Sequence, residues 1–106
     1  MSLDKELVSQ ITNDLQPLGP VTSKSMFGGA GLFYEGKMFA MVSSDNRFWL
    51  KVDDSNKAKY EQLSMQQFNE SAKNKGMPYY EVPGEVFENT DKLLEWAQES
   101  INITRS

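Results

Sequence analysis

Apolar residues recur along this chain in two different rhythms. Near the N-terminus Leu7, Val8, Ile11 and Leu15 fall on one face of a helix, with Asp4, Lys5, Ser9, Gln10 and Asn13 or Asp14 elsewhere. Ser2 or Asp4 can cap its start, and Pro17, Gly19 and Pro20 end it, because proline lacks the amide that a continuing helix needs. After Pro20 the rhythm shortens. Residues 21–24 are β-branched or polar and lead into Met26-Phe27, then Leu32-Phe33-Tyr34, Lys37-Met38-Phe39-Ala40-Met41-Val42 and Arg47-Phe48-Trp49-Leu50-Lys51-Val52 read as strands. Glu35-Gly36 and Ser44-Asp45-Asn46 are short turns, so these strands form an antiparallel meander.

The second half returns to helical spacing. Asp53-Asp54-Ser55 opens a short helix through Ala58, Tyr60, Glu61 and Leu63. Residues 64–76 are mostly polar and read as a long surface loop, anchored by Met65 and Phe68. Pro78-Tyr79-Tyr80-Glu81-Val82-Pro83 is a strand bracketed by prolines, which belongs at a sheet edge. Residues 84–88 carry Val86 and Phe87 inward, and Asn89 or Thr90 caps a final helix with a stripe of Leu93, Trp96, Ala97 and Ile101 broadened by Leu94. Residues 102–106 are expected to fray. The predicted fold class is α+β: an antiparallel meander of about four to five strands with helices at the N-terminus, middle and C-terminus, in one undivided domain over residues 1–106.

Two features of the meander bear on function. Gly28, Gly29 and Gly31 crowd what otherwise reads as strand, which predicts a bulge, a sharp bend or a close approach by another backbone or a ligand. On the strand that follows, strict alternation puts Met38, Ala40 and Val42 on one face and Lys37, Phe39 and Met41 on the other. Both faces are then apolar. Helices covering one face leave the other in need of a partner, so a homodimer is expected in which that face or a strand edge meets its symmetry mate. The alternative is that helices wrap both faces.

Composition narrows the chemistry. The 106 residues contain neither cysteine nor histidine, which removes disulfides, thiol nucleophiles, imidazole bases and nearly every zinc or haem site; no metal or cofactor is expected. Net charge is −4, and the basic residues are scattered, so direct nucleic-acid binding is disfavoured. No apolar stretch is long enough to span a bilayer and no basic segment followed by an apolar run opens the chain, which places it in the cytoplasm with no membrane partner.

Three constellations invite a functional reading. Gly28-Gly29-Ala30-Gly31 has the composition of a phosphate cradle, but such a loop opens a helix, and here a strand follows; packing is the stronger reading. Lys51 beside Asp53 and Asp54 could support acid/base or magnesium chemistry, yet strand ends that become helix caps carry such residues routinely. The aromatic and methionine residues Met26, Phe27, Phe33, Tyr34, Met38, Phe39, Met41, Phe48, Trp49, Tyr79 and Tyr80 serve mainly as core, with an adaptable protein interface as the remainder. The candidate interaction or ligand-turn residues are Gly28, Gly29, Gly31, Phe39, Met41 and Lys51.

Several of these segments together resemble the N-terminal domain of the TfoX (Sxy) family of competence regulators: Met26-Phe27-Gly28-Gly29-Ala30-Gly31-Leu32-Phe33-Tyr34, Gly36-Lys37-Met38-Phe39-Ala40-Met41-Val42, Leu50-Lys51-Val52-Asp53, Pro78-Tyr79-Tyr80-Glu81-Val82-Pro83 and Trp96-Ala97. The resemblance runs from about Leu7 to Ile101 in matching element order. It implies an α+β domain with an antiparallel sheet, no catalytic residues, and a role in regulating transcription of DNA-uptake genes as a co-activator working with another transcription factor. Full-length members carry a second, helical domain that these residues do not include. The leading expectation is a non-enzymatic, dimeric interaction module with a protein partner in transcription. The alternatives are a small-molecule-sensing or weakly catalytic domain using the Gly28–Gly31 turn and Lys51, and direct DNA binding.

Overall fold

A computed structural model describes residues 4–26, 28–68 and 78–105. Helix α1 spans Lys5–Asp14, and the Asp4 carboxylate accepts from the amides of Glu6 (3.0 Å) and Leu7 (3.3 Å), satisfying donors that the first turn leaves open. A single 3-10 turn at Gln16–Leu18 follows, with Pro17 in its first positions. Then come strands β1 (Val21–Met26), β2 (Gly29–Tyr34), β3 (Lys37–Val42) and β4 (Phe48–Lys51), helix α2 (Lys57–Gln62), strand β5 (Tyr79–Glu81) and helices α3 (Gly84–Phe87) and α4 (Thr90–Arg105). The five described strands form one sheet in sequence order, each neighbouring pair antiparallel. The α+β meander expected from the sequence is the fold, with the proline-bracketed strand at one edge.

Short turns set the registers. Glu35 (φ 52°) and Gly36 (φ 80°) both take positive φ between Tyr34 and its partner Lys37, the backbone pattern that matches the twist of a two-residue hairpin. Asn46 (φ 65°) turns the chain between β3 and β4, and its side-chain oxygen accepts from the Asp4 amide at 2.7 Å, tying the start of α1 to that turn. In the glycine cluster Gly28 has φ 79° and Met26 pairs with Gly29, so the sharp bend expected there is a second hairpin connection and β1 and β2 are separate strands.

The faces differ from strict alternation. Leu32 pairs with Ala40 but Phe33 pairs with Met38, leaving Phe39 as an extra residue in β3. This β-bulge resets the pleat, so Phe39, Ala40 and Val42 all enter the main core while Met38 and Met41 belong to a second cluster on the opposite side. Phe39 therefore does not share a face with Met41, and Lys37 reaches the helical side, where its Nζ donates to the Thr104 carbonyl at 3.2 Å. Every helix buries residues in the main core, Val8 and Ile11 from α1, Tyr60 from α2, Val86 from α3, and Leu93, Ala97 and Ile101 from α4. The described helices therefore share one face of the sheet.

Two local expectations change. Helix α4 continues to Arg105, because Thr104 is buried and its carbonyl is engaged by Lys37, so residues 102–105 are held and not frayed. Asn56 occupies the cap position of α2 without a side-chain bond to that helix; its Oδ1 instead accepts from the Asp53 amide (3.0 Å), while Asp53 accepts from Ser55. Of the loop predicted over residues 64–76, residues 69–76 lie outside the described residues. Met65 packs on the main core, and Phe68 packs on the second cluster.

A buried polar defect sits in the main core. Tyr60 is fully buried, edge-on to Trp96 with ring centroids 4.8 Å apart, and its hydroxyl has no hydrogen-bond partner among the described residues. An unsatisfied buried hydroxyl costs roughly 1–3 kcal/mol, so Tyr60→Phe is expected to stabilise the fold by about 1 kcal/mol, a rise of roughly 4–8 °C in Tm. Burial pushes the Tyr60 phenol well above its ordinary value of 10.0, with the Glu99 carboxylate adding to the shift, and burial also raises Tyr79. Below that ordinary value both states hold the proton and stability is complete; above it only the unfolded chain ionises, so stability falls as pH rises. Alkaline unfolding followed by tyrosinate absorbance is expected to begin above about pH 10 and to shift upward in Tyr60→Phe.

Candidate functional site

The side of the sheet away from the helices carries the residues that could meet another molecule. Pairing places them in rows. Lys24 lies opposite Gly31, Gly31 opposite Met41, Met41 opposite Trp49, and Trp49 opposite Glu81. A second row holds Thr22, Phe33 and Met38, and Lys51 lies opposite Tyr79. Met41, Trp49 and Tyr79 are buried and form a cluster with half-buried Met38 and Phe68. Trp49 and Phe68 pack edge to face at 5.0 Å and 77°, a favoured aromatic geometry. The polar tips are satisfied locally, the Trp49 indole N–H donating to Ser43 Oγ (2.9 Å) and the Tyr79 hydroxyl to the Met38 carbonyl (3.4 Å).

The segment ending in Phe68 also covers one edge of the sheet. Gln67 bridges to Tyr80, the Phe68 amide donates to the Tyr79 carbonyl (2.8 Å), and the Glu81 amide donates to the Gln66 carbonyl (3.0 Å). At the other edge, residues 22–25 of β1 are exposed, and no described residue pairs with its outer side.

The candidate residues read from the sequence separate in space. Met41, Lys51 and Gly31 stand on the outer face, whereas Phe39 is in the main core. Gly28 sits at the hairpin connection, and Gly29 is buried where an added Cβ would lie 2.3 Å from the Val42 carbonyl oxygen, so the glycine cluster packs against β3. Lys51 is parted from the two carboxylates: Asp54 pairs with Lys57 at 3.2 Å, and Asp53 is held below the usual carboxylate range by the Ser55 hydroxyl and amide. Both carboxylates sit in the turn leading to α2, where Asp53 lines a polar cleft of about 380 Å³ with Ser55, Asn56, Glu99, Asn102 and Ile103. Glu99 there is already paired with Lys59, which also stacks over the Trp96 ring at 4.2 Å. Among the described residues no group of three or more His, Cys, Asp or Glu side chains could hold a metal ion, and no helix is long and apolar enough to cross a membrane.

Lys24, like Thr22 and Glu81, is an outer-face residue absent from the candidates legible in the sequence. Its place follows only once Gly28 is recognised as a hairpin connection that lays β1 beside Gly31.

Together these features define an α+β domain whose antiparallel sheet has one face under helices and one face bearing aromatic and methionine side chains. The chain belongs to the TfoX N-terminal domain family, which matches residues 13–103. It is 32% identical over 102 residues to DNA transformation protein TfoX1 of Aliivibrio fischeri, covering 93% of this chain and 48% of that relative. The chain thus spans about half the length of that relative.

Proposed function

We propose that this protein is a non-enzymatic interaction module that modulates transcription of DNA-uptake genes through a protein partner, with the outer face of the sheet as its docking surface. The observation that carries this reading is the half-buried Phe33 and Met38, which sit in one row beside the buried second cluster on the sheet face that no described helix covers. Methionine and aromatic side chains suit an adaptable protein contact. Membership of the TfoX N-terminal domain family and the likeness to a transformation protein support the competence setting.

Site-specific photocrosslinking from position 33, on the outer face, is expected to trap one recurrent protein in competent cells, and the yield to fall in Met38→Asp. Crosslinking from position 91 on α4 is the control. Equal capture from both positions, or none from 33, would sink the docking surface.

A homodimer forms part of the same proposal, through the exposed edge of β1. Two copies pairing β1 against β1 in antiparallel fashion would continue one sheet across a two-fold axis. Sedimentation at micromolar concentration is expected to give twice the chain mass of 12.1 kDa; a clean monomer removes the dimer and leaves the docking surface untouched.

A further inference from the structure

The fold sorts the charges of this acidic chain. Acidic residues outnumber basic ones along the helices and the turns that enter them, with Asp53, Asp54, Glu85, Glu88 and Glu95 among the exposed examples. On the outer face, Arg47 answers both Asp45 (3.4 Å) and Glu81 (3.7 Å), one cation against two carboxylates. Lys24 and Lys51 then remain, and neither takes part in an ion pair among the described residues. The apolar face of a protein of net charge −4 is therefore bordered by three cations and two carboxylates, with Lys24 and Lys51 at its two ends.

The rows supply a shape as well. Gly31 has no side chain, so a shallow trough runs between Lys24 and Met41, with half-buried Phe33 and Met38 in the neighbouring row. Lys24 and Lys51 lie three strands apart and about two residues out of line, roughly 16 Å at ordinary sheet spacings, the reach of about five extended residues.

Resting on the docking reading above, we infer that this face takes a short acidic segment of its partner, apolar side chains seated over half-buried Phe33 and Met38 and carboxylates on Lys24 and Lys51. Charge complementarity selects this occupant. A second copy docking face to face would bring up a face with the same small excess of cations, and two lysines neutralise too few phosphates to hold a duplex at physiological salt.

The test uses the labelled protein and two synthetic peptides about twelve residues long, enough to cross the sheet. Both carry the same leucine and phenylalanine positions; one has aspartates between them and the other lysines. The aspartate peptide is expected to shift the backbone amides of Lys24, Gly31, Phe33, Met38 and Met41 saturably, with Kd on the order of 100 μM. Double charge reversal, Lys24→Glu with Lys51→Glu, is expected to weaken it at least about tenfold, while Lys5→Glu on α1 has no effect. Shifts produced instead by the lysine peptide, by a DNA duplex or by raising the protein's own concentration overturn the inference, as does an aspartate peptide that shifts only the helices or nothing. If position 33 still crosslinks a partner in any of those cases, the docking surface stands and only its preference for acidic segments falls.

Discussion

Phe39→Ala is expected to come close to unfolding this protein. Phe39 is fully buried in the main core, and truncating a buried phenylalanine costs roughly 3–5 kcal/mol through lost transfer energy and the cavity left behind. A domain of this size has only about 5–15 kcal/mol in total. The urea midpoint is expected to fall by about 2 M, with an unchanged slope if the denatured state is unaltered. Met38→Ala, half-buried at the rim of the second cluster, is expected to cost only about 1 kcal/mol. The pair separates the two places that β3 assigns to its apolar residues. If Phe39 faced a partner, as strict alternation implies, Phe39→Ala would leave the midpoint near wild type and reduce association instead. A wild-type melt for Phe39→Ala would remove the bulge from this account of the fold.

Gly29→Ala is the second large effect. A methyl group there would lie 2.3 Å from the Val42 carbonyl oxygen and 3.3 Å from the Ser43 Cα, and both are backbone atoms that cannot swing aside. Relief requires β2 to move away from β3 along their shared ladder, so the expected cost is about 2–3 kcal/mol, a drop of roughly 10–20 °C in Tm. Gly36→Ala provides the contrast. Nothing stands within 4 Å of a Cβ at Gly36, so its cost is confined to the positive φ of 80°, about 1 kcal/mol. Thermal melts of the two variants therefore rank steric packing above turn conformation. Equal losses would mean that the glycines of β2 serve the bend alone.

Much of this architecture was legible in the chain. The α1 stripe of Val8, Ile11 and Leu15, the Glu35-Gly36 turn, the edge position of the proline-bracketed strand and the stripe of α4 all follow from local rules of spacing, capping and turn chemistry. Those rules act over a few residues, so a single sequence carries them. Helix α4 outran its apolar stripe because Ser100 and Thr104 are buried as well; Ser100 Oγ donates to the Lys51 carbonyl at 2.7 Å, a contact across 49 positions that spacing cannot reveal.

The candidate site divides along the same line. Sequence alone determined that the chain has no thiol or imidazole chemistry, that its sheet is an antiparallel meander, and that apolar residues exceed what one face can hold. Tertiary structure decided which residues stand on which face. One extra residue at Phe39 inverts the pleat, moving Phe39 into the core and separating Met41 from it, because side-chain direction depends on register with β2 and not on parity along β3. The gathering of Lys24 and Lys51 beside the outer cluster has the same origin. They stand 27 positions apart in the chain, and only the stacking of four strands, with the acidic helices turned to the other side, brings their charges to one apolar face.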